Sequence, residues 1–193
     1  MKVSREQAEA NHERIIDIAS RMFREKGFDG VSVAELMTAA GLTHGGFYGH
    51  FGSKDDLVSK AATRAFDRSG EVWTAIASDN DKPFSLLVDR YLDEARLSKA
   101  GTSCMFASLA PEASRRGRSV KHVFADGFRS LTGILAKLVP GTAKSKTRAT
   151  SIAVFSEMVG GLVLARSVDD PELAREILTI VKSDLKNRFP EKA

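Results

Sequence analysis

Across 193 residues there is one cysteine, Cys104. A disulfide framework within the chain and a four-cysteine zinc site are therefore excluded. Histidine is also scarce: His12, His44, His50 and His122. Only His122 has a carboxylate one helical turn on, Asp126. No third ligand is evident near that pair, so no metal site is expected. No Gly-x-Ser-x-Gly elbow, phosphate loop or dinucleotide fingerprint occurs, so neither catalytic residues nor a cofactor is expected, and the chain is not read as an enzyme. The longest apolar run, Met158 to Ala165, falls far short of the ~20 residues that cross a bilayer. The first 25 residues mix acids and bases without a continuous apolar stretch, unlike a secretory signal. A cytoplasmic protein without membrane contact is the resulting expectation. A strong charge imbalance is missing too. Lys+Arg number 29 and Asp+Glu 25, a formal net charge of +4 that hints only weakly at an anionic partner.

What is present reads as helix. Strand-like alternation bounded by turn residues does not recur, and four of the five prolines stand near breaks between periodic segments. Apolar stripes predict nine helices in an all-α chain. The first runs from about Glu6 to Lys26 and stops at Gly27. Ser32-Val-Ala-Glu35 is a capping box that opens a second, broken at Gly41. Thr43 can cap a third that ends near His50. Ser53-Lys-Asp-Asp56 starts a long fourth helix reaching about Ser78, and a turn is expected over Asp79 to Pro83. Segments carrying Phe84 to Ala95, Met105 to Ala113 (bent at Pro111), Val120 to Leu138, about Lys144 to Val168, and the stretch after Asp170-Pro171 complete the series. Three helices followed by six divide the chain near residue 52.

The informative segment is Ser32 to Leu57, SVAELMTAAGLTHGGFYGHFGSKDDL. It reads as a helix, a tight turn at Gly41 and a second helix packed on the first, a helix-turn-helix. The second helix has a slim outer side: Thr43, His44, Gly45, Gly46 and Tyr48. Two adjacent helical glycines cost about 1 kcal/mol each relative to alanine. That cost points to close approach of a partner, and a DNA major groove suits a slim helix. A module using the same fold to bind protein is the alternative.

Gly41, Thr43, Phe47-Tyr48, His50-Phe51 and Ser53-Lys54, with Phe23 to Phe28 upstream, resemble the N-terminal domain of the TetR (tetracycline-repressor) family of bacterial transcription regulators. The motif covers about 50 residues, and the nine-helix layout extends the resemblance more weakly along the rest. The resemblance implies a DNA-binding domain over residues 1–52 and a helical effector-binding and dimerisation domain over 53–193. It implies that Thr43 caps the recognition helix and offers its hydroxyl and amide to a phosphate. His44, Gly45 and Gly46 would face base edges, and Tyr48 and His50 would lean on the backbone. Lys54 would reach a phosphate, and Ser32 and Val33 would present helix-end amides to another. Phe47 and Phe51 look structural. His44 and Gly46 depart from the Lys or Ser and the larger side chain frequent in the family, so no relative's operator sequence can be borrowed.

For the second half, the resemblance implies a homodimer in which the last two helices pair with their twins. Val159, Gly160, Leu162, Leu173, Ile177 and Val181 are the interface candidates. An unidentified small-molecule effector would lie among Phe66, Trp73, Tyr91, Phe106, Phe124 and Phe128. Together these imply a ligand-responsive repressor released from a palindromic operator. Cys104, near the start of a helix whose N-terminus would lower a thiol pKa, offers a redox- or electrophile-sensing alternative. Charge placement complicates the DNA reading. Residues 1–51 hold six Lys+Arg and seven Asp+Glu, whereas residues 115–148 hold nine bases and one acid.

Overall fold

The computed structural model describes residues 4–78 and 81–191. The expected turn over Asp79 to Pro83 thus lies partly outside the described residues. Nine α-helices and two 3-10 segments follow one another, and no strand occurs among the described residues. The α-helices are α1 (Arg5–Lys26), α2 (Val33–Ala39), α3 (Lys54–Ser78), α4 (Pro83–Tyr91), α5 (Ala95–Ser98), α6 (Met105–Ala113), α7 (Arg118–Leu138), α8 (Thr147–Ser167) and α9 (Pro171–Arg188). The 3-10 segments are His44–Gly49 and Ala100–Thr102. Most elements stand where the sequence places them, with two exceptions. The expected third α-helix is a 3-10 segment, since Gly45, Gly46 and Gly49 in six residues weaken α-helical propagation. The expected fifth helix ends at Tyr91, and α5 is a separate turn that starts behind Asp93, whose carboxylate accepts from Ala95 N at 2.8 Å.

Packing divides the chain into two compact units. The first comprises residues up to Phe66 together with Ala100–Ala125, and the second Asp67–Lys99 together with Asp126 onward. The first unit is therefore larger than the segment 1–52, because the start of α3, α6 and the start of α7 pack with the N-terminal helices.

The core of the first unit comes from one stripe per helix. α1 buries Ile15, Ile16, Ala19 and Phe23, a 3–4 spacing that turns one face inward. Phe28, Val31, Leu36, Met37, Phe47, Phe51, Leu57, Val58, Ala61 and Ala62 complete it, with Met105, Leu109 and Val120 from the distant segment. Ion pairs lock the outside. Arg64 of α3 reaches Glu13 and, at 2.6 Å, Asp17 of α1.

In the second unit, α8 carries Ser151, Val154, Phe155, Met158 and Leu162 inward. α9 starts at Asp170, whose carboxylate caps Glu172 N and Leu173 N, with Pro171 in the first turn. α8 is the one described helix long and apolar enough to cross a bilayer. It is packed on α9 instead, close enough that a Cβ on Gly161 would stand 3.1 Å from Val181.

Candidate nucleic-acid interface

The helix-turn-helix is built by local bonds that its sequence specifies. Ser32 Oγ accepts from Glu35 N at 3.1 Å, and Glu35 returns the bond by accepting from Ser32 N at 2.8 Å. This reciprocal cap holds the Glu35 carboxyl below the usual carboxylate range. The far end of α2 closes in a Schellman turn. Gly41 takes φ 71°, Gly41 N donates to Thr38 O, and Leu42 N donates to Met37 O at 2.8 Å. Arg14 of α1 donates to Ala40 O at the same end. The start of α3 carries the second expected cap in altered form. Ser53 Oγ accepts from Asp56 N, and Asp56 accepts from Gly52 N rather than from Ser53 N.

Between these caps the 3-10 segment shows a wet outer side and a dry inner one. Phe47 is 1% exposed and packs edge-on against Tyr48 and tilted against Phe51. Thr43, His44 and Gly45 are exposed, and Tyr48 is exposed to 72%. A Cβ on Gly45 would meet nothing within 4 Å, and one on Gly46 would make only ordinary contact with Met37 at 3.5 Å. The fold therefore does not demand either glycine. Their absence of side chain leaves a shallow outer surface instead.

Thr43 stands at the cap position but makes no side-chain cap bond, so its hydroxyl is left facing solvent. His50 is half-buried. It ends the 3-10 segment, donating from its backbone N–H to Phe47 O, and its ring lies 6.1 Å from that of His12. Burial, reinforced by His12, holds the His50 imidazole below the ordinary histidine range. The folded chain thus favours neutral His50, while the unfolded chain protonates at about 6.5. The His50 contribution to stability is therefore present above pH ~6.5 and is lost as pH falls below it. Melting temperatures measured from pH 7.5 to 5.5 (about the span of one histidine titration) should drop more steeply for the unchanged protein than for His50→Gln.

Ser32, Val33 and Lys54 lie where the sequence put them, at the starts of α2 and α3. Ser32 is exposed and Val33 and Lys54 are half-buried.

Residues 15–61 match the family model described as bacterial regulatory proteins, tetR family. Over those residues the chain matches the TetR family. The chain is 33% identical over 69 residues to the transcriptional regulator AcrR of Shigella flexneri, covering 36% of this chain and 32% of that one. It is 34% identical over 74 residues to the transcriptional repressor KstR2 of Rhodococcus jostii, covering 37% and 36%. The matched region thus spans about a third of the length of these curated relatives. The likeness of fold to solved structures extends over most of the chain. The reduced form of NemR from E. coli superposes with a TM-score of 0.80 at 17% identity, covering 95% of this chain and 99% of that one. FadR from Bacillus subtilis, in complex with stearoyl-CoA, gives 0.64 at 14% identity, covering 89% and 97%.

The six aromatic candidates for an effector site fall into two clusters. Phe66, Phe106 and Phe124 meet in the first unit, with ring centroids 5.0 to 5.4 Å apart. Trp73 and Tyr91 meet in the second, joined by Phe155, and Phe128 also packs on Phe155. Phe155 is the hub of that cluster and is not among the sequence candidates. Its spacing from Ser151, Met158 and Leu162 on one face of α8 is the signal that marks it. Among the dimer candidates, Leu162 is 1% exposed within its own unit and cannot form an outer surface. Leu164 at 58%, Ile180 at 58% and Leu173 at 40% form the exposed apolar side of α8 and α9. Leu162 sits in the unbroken apolar run of α8, and such a run does not reveal which side neighbouring helices cover. Cys104 is half-buried and occupies the cap position of α6 without a side-chain cap bond.

Proposed function

We propose that this chain is a dimeric regulator of transcription that binds a palindromic operator through residues 32–54 and releases it when a small molecule binds the helices beyond. The observation that carries the reading is the side-chain-poor 3-10 surface at His44 to Gly46, exposed at His44 and Gly45 and framed by the starts of α2 and α3. Helix N-termini favour phosphate, and a slim element between them suits a major groove. The exposed residues Leu164, Leu173 and Ile180 support pairing of two copies through α8 and α9. Two recognition elements about 34–36 Å apart would then read successive grooves. FadR, a protein of the same fold, forms a complex with stearoyl-CoA, which supports a small-molecule effector here. α3, 25 residues long, gives its first half to one unit and its second half to the other. A shift of that helix is the proposed route from effector to Lys54, and a coupling of ~1–3 kcal/mol would lower operator affinity ~5- to 150-fold. As a TetR-family regulator the protein would act in the cytoplasm.

The test is a gel shift with the DNA that precedes the chain's own coding sequence, run with Gly45→Glu as control. The open space at Gly45 lets the variant fold, with an unchanged melting temperature. Its carboxylate would meet base edges and phosphates, lowering affinity ~5- to 150-fold, a cost of ~1–3 kcal/mol. Binding that ignores this substitution would place the DNA contact elsewhere.

A further inference from the structure

The N-terminal region is short of cations for a DNA-binding element. Residues 1–51 carry six Lys+Arg and seven Asp+Glu, while duplex DNA presents one negative charge per ~1.7 Å of axis. Tertiary structure brings positive charge from far along the chain.

The turn between α6 and α7 is anchored beside the helix-turn-helix by two side chains one helical turn apart. Glu112 accepts from Phe28 N at 2.6 Å and lies over Gly27, where a Cβ would stand 2.6 Å from its Oε1. Gly27 also takes φ 82°, so this site is reserved for glycine twice over. Arg116 bridges Asp29 and, at 3.3 Å, Asp55, and its guanidinium lies 5.4 Å from the centre of the Phe28 ring. Asp29 precedes the Ser32 cap by three residues, and Asp55 follows Lys54 directly. Arg116 therefore neutralises two carboxylates that stand beside the two expected phosphate-facing helix starts.

Its neighbours have no such employment. Arg115, Arg118 and Lys121 are exposed and form no ion pair among the described residues. Arg118 and Lys121 lie in the first turn of α7, which contains no acid. Cations there oppose the helix dipole, a placement that stability alone disfavours.

We propose that Arg115, Arg118 and Lys121 form a second phosphate-binding surface, gripping the backbone of the same duplex that the helix-turn-helix engages. The proposal rests on the DNA-binding reading above. A duplex phosphate is favoured over a free anion because the turn is fastened to both helix starts that would hold the duplex. Such contacts position the protein and carry no sequence information.

The experiment measures fluorescence anisotropy over a series of KCl concentrations. It uses two labelled duplexes of about 30 base pairs, long enough for two half-sites one helical turn apart. One comes from upstream of the chain's own coding sequence and the other is its scramble. Arg115→Ala/Arg118→Ala should weaken both duplexes by a similar factor and flatten the salt slope by about 0.9 for each cation removed, ~1.8 in all. Arg115→Lys/Arg118→Lys should restore the slope. Melting temperatures confirm that the anchor at Arg116, left untouched, still holds. A bound duplex with an unchanged slope, a weakening confined to one sequence, or failure of the lysine pair to rescue would overturn the proposal alone. Failure of the unchanged protein to bind either duplex would overturn the DNA-binding reading and this proposal with it.

Discussion

Replacing Phe47 with alanine should unfold the helix-turn-helix and abolish DNA binding. Phe47 is among the largest fully buried side chains, and its ring meets those of Tyr48 and Phe51. It is also the only buried residue of the 3-10 segment, so it is the segment's main anchor to the core. Phe→Ala in a core costs about 3–5 kcal/mol. Total stabilities of only ~5–15 kcal/mol leave little after such a cost. Chemical denaturation should show the midpoint falling, and anisotropy should show no specific complex. Tyr48→Ala is the informative contrast. At 72% exposure its removal should leave the melting temperature nearly unchanged while weakening DNA binding. Equal destabilisation in both variants would show that the outer surface of the segment is structural rather than a contact surface.

Leu164→Glu combined with Ile180→Glu should convert a dimer to a monomer. Both side chains are exposed to 58% in the single chain, so the substitutions leave each folded copy intact. In a dimer built on α8 and α9 they would bury unpaired carboxylates, which is strongly unfavourable. Sedimentation velocity should report a monomer. Operator affinity should fall by ~10²–10⁴, the advantage that linking two half-site contacts confers. A dimer that survives both substitutions would place the interface on another surface.

The elements of the first unit were legible in the sequence because their boundaries rest on local chemistry. Ser32 and Glu35 cap within four residues of one another, and Gly41 takes the left-handed conformation its position requires. The 3-10 character of His44–Gly49 was less legible. Three glycines weaken an α-helix there, but only packing of Phe47 decides what replaces it. The surroundings of His50 were hidden for a related reason. Its ring lies near that of His12, 38 positions earlier, a pairing that no local pattern records. The outer side of α8 was hidden by composition, since an all-round apolar helix does not say which face is covered.

Charge separates the two kinds of information most clearly. Local patterns in the chain were enough for an all-helical fold, a helix-turn-helix with its caps, and a basic excess outside that motif. Those depend on neighbours within a few positions. Where the basic excess goes is set by packing in three dimensions. Glu112 and Arg116 pair with Phe28, Asp29 and Asp55 across 61 to 87 positions. Such pairs leave no periodic trace in a sequence, because their partners are chosen by packing in space.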